Sequence, residues 1–176
     1  MNDLLNKKAK EVIAQFLDEE FYLSRSRLIE VGWSFIPIYQ YLDPLQAEWI
    51  SNAITETTSC KKILAIDIEY KSEPKAIEFE ATRDEILAFL FASTGSVILT
   101  NNSVDFLYYK DQINRFSVIC GSNKFLRKSY PSSFDTMKVM FYYYWQDDQV
   151  FSSGEKDFYQ NVWKEFNNLP DVDNVL

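Results

Sequence analysis

Apolar and polar residues alternate in two neighbouring stretches of the chain, ILAIDIEY at 63–70 and KAIEFEA at 75–81. A period of two residues is typical of β-strands, because successive side chains of a strand point to opposite faces of the sheet. The short segment between the stretches contains Ser72, Glu73 and Pro74, which favour a turn. The pattern therefore predicts a β-hairpin.

Other parts of the chain also have the composition of strands. Residues 21–42 are rich in aromatic and β-branched types and predict one or two strands. Pro37 is expected at an edge or a bulge, because proline cannot donate a ladder hydrogen bond. Three shorter stretches predict a meander: SVILT at 96–100, VDFLYYK at 104–110 and RFSVIC at 115–120.

Apolar residues at helical spacing predict helices before, between and after these strands. Asp43 precedes a proline and is a suitable helix cap, and Thr82 and Ser152 each have a glutamate three residues later, the form of a capping box. FYYYW at 141–145 would also suit a strand, although the spacing around it favours a helix. The helices are expected over residues 2–20, from 44 to the SCKK segment at 59–62, and over 82–92, 123–128, from 133 onward, and 152–166.

The chain has 176 residues and contains no internal repeat, no low-complexity tract and no linker rich in Pro, Gly or Ser. One domain over residues 1–176 is therefore predicted. We expect an α+β fold with a mostly antiparallel sheet of about five to six strands and helices packed on one side of it. The tail, residues 170–176, is expected to be frayed.

Charge and residue usage restrict the classes of function. The chain has 18 Lys and Arg against 26 Asp and Glu, and a net charge of −8 repels a phosphate backbone. The count of histidines is 0, which removes the usual general base near neutral pH. Cys60 and Cys120 lack metal-site spacing and are expected to be reduced thiols. No apolar run is long enough for a signal peptide or a membrane span, so we expect a cytoplasmic protein without cofactor, metal, nucleic-acid or membrane partner.

The predicted hairpin carries an unusual set of acidic residues. If its apolar residues point inward, four carboxylates share the outer face, those of Asp67, Glu69, Glu78 and Glu80. Like charges opposite each other destabilise a sheet, so Lys71 and Lys75, a basic partner protein or a divalent cation would have to compensate them. A solvated face relieved by the two lysines is the simplest interpretation.

Glu69-Tyr70-Lys71 also has the Glu-x-Lys form found in the PD-(D/E)xK nuclease superfamily. In such a site Glu69 and an upstream carboxylate, Asp43 or Asp67, would hold magnesium while Lys71 assists the attacking water. A three-residue pattern occurs by chance in most proteins, and the negative charge of the chain opposes DNA binding. A metal-dependent nuclease is therefore kept as an alternative.

The C-terminal quarter of the chain concentrates negative charge, with eight acidic and three basic residues from position 135 onward. The stretch FYYYWQDD at 141–148 places aromatic rings beside Asp147 and Asp148, a mixture that suits an interface with an Arg- or Lys-rich surface. Consecutive tyrosines cannot all share one buried helix face, so Tyr142 or Tyr143 is expected to be exposed. Because no basic residue neighbours Asp147 and Asp148, we expect this pair to contribute more to binding than the hairpin carboxylates.

With these features the chain resembles the immunity proteins of bacterial polymorphic-toxin and contact-dependent inhibition systems, which are small, acidic, cytoplasmic α+β domains. The resemblance is carried by LAIDIEYKSEPKAIEFEA at 64–81, VDFLYYKDQINRFSVIC at 104–120 and SSFDTMKVMFYYYWQDD at 132–148. It implies a protein without catalytic activity or cofactor that binds one cognate toxin, often a nuclease with a basic cleft, and neutralises it by stoichiometric occlusion. A scaffold domain with no catalytic role is the remaining alternative.

Overall fold

The computed structural model describes residues 2–39, 42–69, 72–143 and 151–169. In these ranges the elements follow the order α1 (Asn2–Phe16), α2 (Arg25–Glu30), β1 (Ser34–Tyr39), α3 (Pro44–Thr57), β2 (Lys62–Ile68), β3 (Lys75–Glu80), α4 (Arg83–Ala92), β4 (Ser96–Thr100), β5 (Phe106–Asp111), β6 (Phe116–Gly121), α5 (Asn123–Ser129), α6 (Phe134–Tyr143) and α7 (Ser153–Glu165). None of the described helices is both long and apolar enough to cross a membrane. The predicted α+β fold is confirmed.

The six described strands form one antiparallel sheet in the order β1-β6-β5-β4-β2-β3. The predicted hairpin is present as β2 and β3, and the predicted meander as β4, β5 and β6. Pro37 lies on β1, which pairs with β6 at one edge of this sheet, so its expected edge position is confirmed. β3 forms the opposite edge.

Helices cover both faces of the sheet, whereas the sequence predicts them on one side. On one face Phe106 of β5 stacks on Phe125 of α5, with ring centroids 4.9 Å apart. On the other face Phe35 of β1 contacts Phe166, just after α7, edge to face at 6.3 Å. These two strand residues point in opposite directions because they lie opposite consecutive residues of β6. Consecutive buried residues in β5, rather than an alternating pattern, are the result of this double cover.

Helix caps occur where the sequence predicts them. Asp43 Oδ1 accepts a hydrogen bond from the Gln46 N–H at 2.8 Å, and the Gln46 side chain accepts one from the Asp43 N–H, which completes a capping box. A second capping box joins Ser152 and Glu155 at the start of α7, and the Thr82 hydroxyl caps α4. These local contacts fix where three helices begin.

The N-terminal region differs from the prediction. The first helix ends at Phe16 rather than near Glu20, and residues 25–30 form the helix α2 where a strand is expected. Leu28 is the buried residue of α2, and Gly32 follows the helix with a φ of 73°. The packing of Leu28 and the glycine stop override the strand preference of the surrounding aromatic and β-branched residues.

Gly95 allows the start of β4 to approach the end of β2 closely. A Cβ atom on Gly95 would lie 2.4 Å from the Ile68 carbonyl oxygen and 2.7 Å from Asp67 Oδ1. The carbonyl belongs to a paired strand and cannot move without disturbing the sheet. A side chain at this position is therefore incompatible with the observed pairing.

We expect Gly95→Ala to lower the free energy of unfolding by about 1–3 kcal/mol, the usual cost of overpacking. Gly154→Ala is the matched control, because a Cβ at Gly154 meets no atom within 4 Å and alanine favours the helix by up to about 1 kcal/mol. Urea denaturation of both variants measures the difference. Equal stability of the two variants would contradict the steric role of Gly95.

Candidate functional site

The four hairpin carboxylates do not share one face of the sheet. Asp67 is opposite Lys75, whereas Glu80 is opposite Lys62, and Glu78 has the same orientation as Glu80. Residues directly opposite each other point to the same face. Asp67 therefore lies on one face of the sheet, and Glu78 and Glu80 lie on the other. The predicted common acidic surface is wrong because, in the observed strand register, the side chain of Asp67 points to the face of the sheet opposite to that of Glu78 and Glu80.

Glu78 and Glu80 belong to the edge strand β3, and neighbouring residues compensate their negative charge. Lys62 Nζ lies 3.4 Å from Glu78 Oε2, and Asn102 Nδ2 donates to Glu78 Oε1 at 2.6 Å. Glu80 is exposed beside the same lysine across the strand pair. Charged side chains on an edge strand also oppose pairing with a second sheet. The charge of this face is thus relieved by Lys62 rather than by the expected Lys75, which contacts Glu69 instead. The other expected residue, Lys71, lies outside the described residues.

Asp67 lies in a half-buried position on β2. Its Oδ1 atom is buried and has no hydrogen-bond partner within the described part of the chain. Burial raises the pKa of Asp67, and the negative charge of Glu69 adds to this effect. The Gly95 backbone and the charges of Lys75 and Lys110 act in the opposite direction but do not cancel the shift. The ionised form of Asp67 is thus disfavoured in the folded protein.

Glu69 follows β2 at the end of the sheet, and its pKa is shifted in the direction opposite to that of Asp67. Its Oε1 atom accepts hydrogen bonds from Lys75 Nζ at 3.0 Å and from Thr94 Oγ1 at 3.4 Å. The hydrogen bond and the charge of Lys75 lower the pKa of Glu69. Because Lys75 is exposed and Glu69 is only partly buried, this ion pair contributes little free energy, and another cation can replace Lys75 in it.

The nuclease alternative depends on several residues, of which the structure describes some and not others. Asp43, one of the two upstream carboxylates considered for magnesium, caps α3. Tyr70 and Lys71 of the Glu-x-Lys pattern lie outside the described residues. Within the described ranges, no group of three His, Cys, Asp or Glu side chains is arranged to hold a metal ion.

The two candidate tyrosines of α6 differ in exposure. The side chain of Tyr143 is 70% exposed. Tyr142 is half-buried, and its ring lies 5.9 Å from that of Trp163. The expectation that one of the two is exposed is therefore confirmed. Asp147 and Asp148 lie outside the described residues, so their role in binding stays a prediction.

An ordered loop of residues 18–22, here called the acidic loop, joins α1 to α2. A backbone bridge between Leu17 and Leu23 closes it. Asp18 Oδ1 accepts hydrogen bonds from the N–H groups of Glu20 and Tyr22, each at 2.9 Å. Three consecutive acidic residues interrupt the apolar spacing of the first predicted helix here, and this interruption is the signal in the sequence for the loop.

Phe21 presents an aromatic ring from the acidic loop. Its backbone has a φ of 66°, in the left-handed region, and its side chain is 45% exposed. The Tyr109 hydroxyl donates to the Phe21 carbonyl oxygen at 3.2 Å, and the Phe21 N–H donates to the Asp18 carbonyl oxygen at the same distance. The backbone that carries the ring is thus held in place at the surface.

A cleft of about 220 Å³, here called the sheet-end cleft, separates the acidic loop from the end of the sheet. Apolar side chains form its walls and two carboxylates stand among them; the lining includes Glu20, Phe21, Ile68, Glu69, Tyr109 and Ile113. Lysine and arginine bury an alkyl stem on apolar surface while their charge stays with polar acceptors. The composition of the cleft suits such an aliphatic cation.

Comparison of the chain with protein-family models, with curated proteins and with solved structures gives no match. The candidate site is therefore defined by its own geometry and charge. It consists of the acidic loop, which is missing from the predicted residues, and the sheet-end cleft, to which the predicted residue Glu69 contributes.

Asp67→Asn and Glu69→Gln are expected to change stability in opposite directions at pH 7. The raised pKa of Asp67 means that its ionisation opposes folding, so Asp67→Asn should raise the free energy of unfolding. The lowered pKa of Glu69 means that its ionisation favours folding, so Glu69→Gln should reduce it.

Both differences should shrink as the pH falls to about 4 and below, where the carboxyl groups become protonated in the folded and unfolded chains. Urea midpoints measured between pH 7 and pH 3 test this expectation. Effects of the same sign for the two variants, or a difference independent of pH, would show that the described contacts do not set the two pKa values.

Proposed function

We propose that this protein is an inhibitor that binds a basic partner protein, a cognate toxin domain, and neutralises it by stoichiometric occlusion. The observation that carries the proposal is the acidic loop beside the sheet-end cleft. There, an exposed aromatic ring and two carboxylates surround an apolar cavity at one end of the sheet. This combination is the chemistry expected of a surface that captures cationic side chains.

The charges of the acidic loop support the proposal because no cation in the described part of the chain forms an ion pair with them. Within the described residues, Glu19 and Glu20 make no ion pair, whereas Glu69 and Glu78 each contact a lysine. Both loop glutamates are exposed. A basic partner would supply the missing positive charge and would also be steered toward the protein by its net charge of −8.

The rigidity of the acidic loop supports tight binding. The bridge between Leu17 and Leu23 and the hydrogen bonds to Asp18 hold the backbone around Phe21 before any partner arrives. A preorganised loop loses little conformational entropy on association, so more of the contact energy appears as affinity. Aromatic anchors of this kind often contribute a large part of the binding energy.

In the proposed complex, an arginine or lysine of the toxin enters the sheet-end cleft. Its alkyl stem packs on Phe21, Ile68 and Tyr109. Its charged end forms ion pairs with Glu20 and Glu69, and the ion pair between Lys75 and Glu69 breaks when the toxin residue binds. A nuclease whose cleft holds phosphate through basic residues is the toxin class that this arrangement fits best. The proposal places the protein in the cytoplasm, where Cys60 and Cys120 would remain free thiols.

The gene directly upstream of an immunity gene encodes its toxin in the systems that this chain resembles, so the upstream product is the partner to test. We expect the double variant Glu20→Gln/Phe21→Ala to lose about 2 kcal/mol or more of binding free energy, roughly 30-fold in Kd. Glu78→Gln/Glu80→Gln, on the edge strand, is the control and should change Kd by less than about threefold.

Calorimetry on folded variants, checked by circular dichroism, measures these affinities.

The variant Asp147→Asn/Asp148→Asn is tested in the same way, with an expected loss of about 2–5 kcal/mol of binding free energy if this pair contacts buried cations of the toxin. A larger loss for the edge-strand control than for the loop variant would contradict the proposed surface. Magnesium-dependent cleavage of DNA or RNA by the purified protein, abolished by Glu69→Ala, would contradict the inhibitor function itself.

Association with the toxin should be fast at low salt and should slow as ionic strength rises, while dissociation changes less. The reason is that salt screens charges beyond about 8–10 Å and so acts on the encounter before contacts form. Stopped-flow binding over a series of salt concentrations tests this expectation. An association rate independent of salt would remove charge steering from the proposed mechanism.

A further inference from the structure

A buried lysine stands on the sheet face that is covered by α3, α4 and α5. Lys110 of β5 is only 5% exposed and lies between Val97 of β4 and Ser117 of β6. In the described part of the chain, its ammonium makes no hydrogen bond and no ion pair. The Lys110 ammonium is not one of the polar atoms that are fully cut off from solvent, but most of its side chain is buried, and a cation held there without a protein acceptor is less well solvated than in bulk water.

Asp67, a carboxylate on this face whose charge acts on Lys110, makes no ion pair with it. Asp67 and Lys110 lie on the same face, separated by Val97 of the intervening strand. The charge of Asp67 is felt by Lys110, but burial dominates and lowers the pKa of the lysine. A negative group close to the ammonium would supply the acceptor that the described residues do not provide.

A cavity of about 210 Å³ adjoins Lys110, and we call it the Lys110 cavity. Its walls include Leu42 together with Leu87, Leu90 and Phe91 of α4. Phe91 is 81% exposed, so the apolar surface of α4 extends beyond what the fold itself buries. The cavity combines one cation and the polar residues Ser93 and Gln112 with leucine side chains and the exposed ring of Phe91.

We propose that the Lys110 cavity binds a small aliphatic carboxylate. The ligand carboxylate accepts hydrogen bonds from the Lys110 ammonium, and its hydrocarbon tail packs on Leu42, Leu87 and Leu90. The volume is below the roughly 300–1,000 Å³ of pockets for drug-sized ligands, which limits the tail to a short chain. Of its lining residues, this cavity shares only Gln112 with the sheet-end cleft, and the inference does not depend on the proposed function.

Calorimetric titration with octanoate, and with octanol as an uncharged analogue, tests the proposal on the full chain. Octanoate should bind the wild-type protein, and Lys110→Met should weaken it at least about tenfold, because a charge-assisted hydrogen bond is lost. Octanol should bind both proteins with equal affinity. Lys75→Met removes an exposed lysine of the same sheet face and should leave octanoate binding unchanged.

The stability of the variant without ligand gives a second, independent measurement. Methionine keeps an apolar side chain of similar length, so Lys110→Met should raise Tm by about 2–4 °C by removing the unpaired cation. A lysine kept for a structural contact would instead lower Tm when replaced.

Four results would overturn the proposal: no binding of octanoate to the wild-type protein, equal affinity for octanoate in wild type and Lys110→Met, an equal loss in Lys75→Met, or a lower Tm for Lys110→Met. Loss of toxin binding in the acidic-loop variant tests the other site alone. The failure of one proposal is therefore distinguishable from the failure of the other.

Discussion

Cover on both faces of the central strands is the constraint on which the rest of this structure depends. Every residue of β5 is buried, including a lysine and an aspartate, so polar groups must find partners inside the protein. The Tyr108 hydroxyl lies 3.0 Å from Ser117 Oγ between neighbouring strands. Asp111 accepts hydrogen bonds from the N–H groups of Ile113 and Asn114 and so shapes the turn from β5 to β6. The sheet is thereby rigid, and its loops are held at defined positions on its ends.

Because the sheet is covered on both faces, polar groups on it that lack a hydrogen-bond partner indicate where a ligand could bind. Asp67 Oδ1 is buried without a hydrogen-bond partner among the described residues, and the Lys110 ammonium on the same face makes no hydrogen bond or ion pair with them, although it is not fully cut off from solvent. Both groups lower the stability of the fold unless something compensates them. Lys110 adjoins a cavity that can admit a ligand, whereas Gly95 closes the space around Asp67. This difference is why the ligand site is assigned to the lysine.

Charge acts differently in different parts of the molecule. On the hairpin, lysines contact Glu69 and Glu78, and the carboxylates are largely accounted for within the fold. On the acidic loop, Glu19 and Glu20 remain exposed without an ion pair in the described chain, next to the exposed ring of Phe21. Local neutralisation, rather than the number of acidic residues, therefore distinguishes a supporting surface from a candidate interface.

Elements with local sequence signals could be predicted before the fold was known. Asp43 and Ser152 mark helix starts through contacts within four residues, Pro37 marks an edge strand because it lacks an N–H, and the alternation at 63–81 specifies the hairpin. Only the tertiary structure decided which carboxylates share a face, because a strand register shifted by one residue reverses every side chain. It also decided the second helical layer and the acidic loop, since these depend on contacts between residues that are distant in the chain, such as Tyr109 with Phe21. Glu69 was therefore predictable as a residue of the candidate site, whereas Lys110 became a candidate only through the packing of α4 next to it.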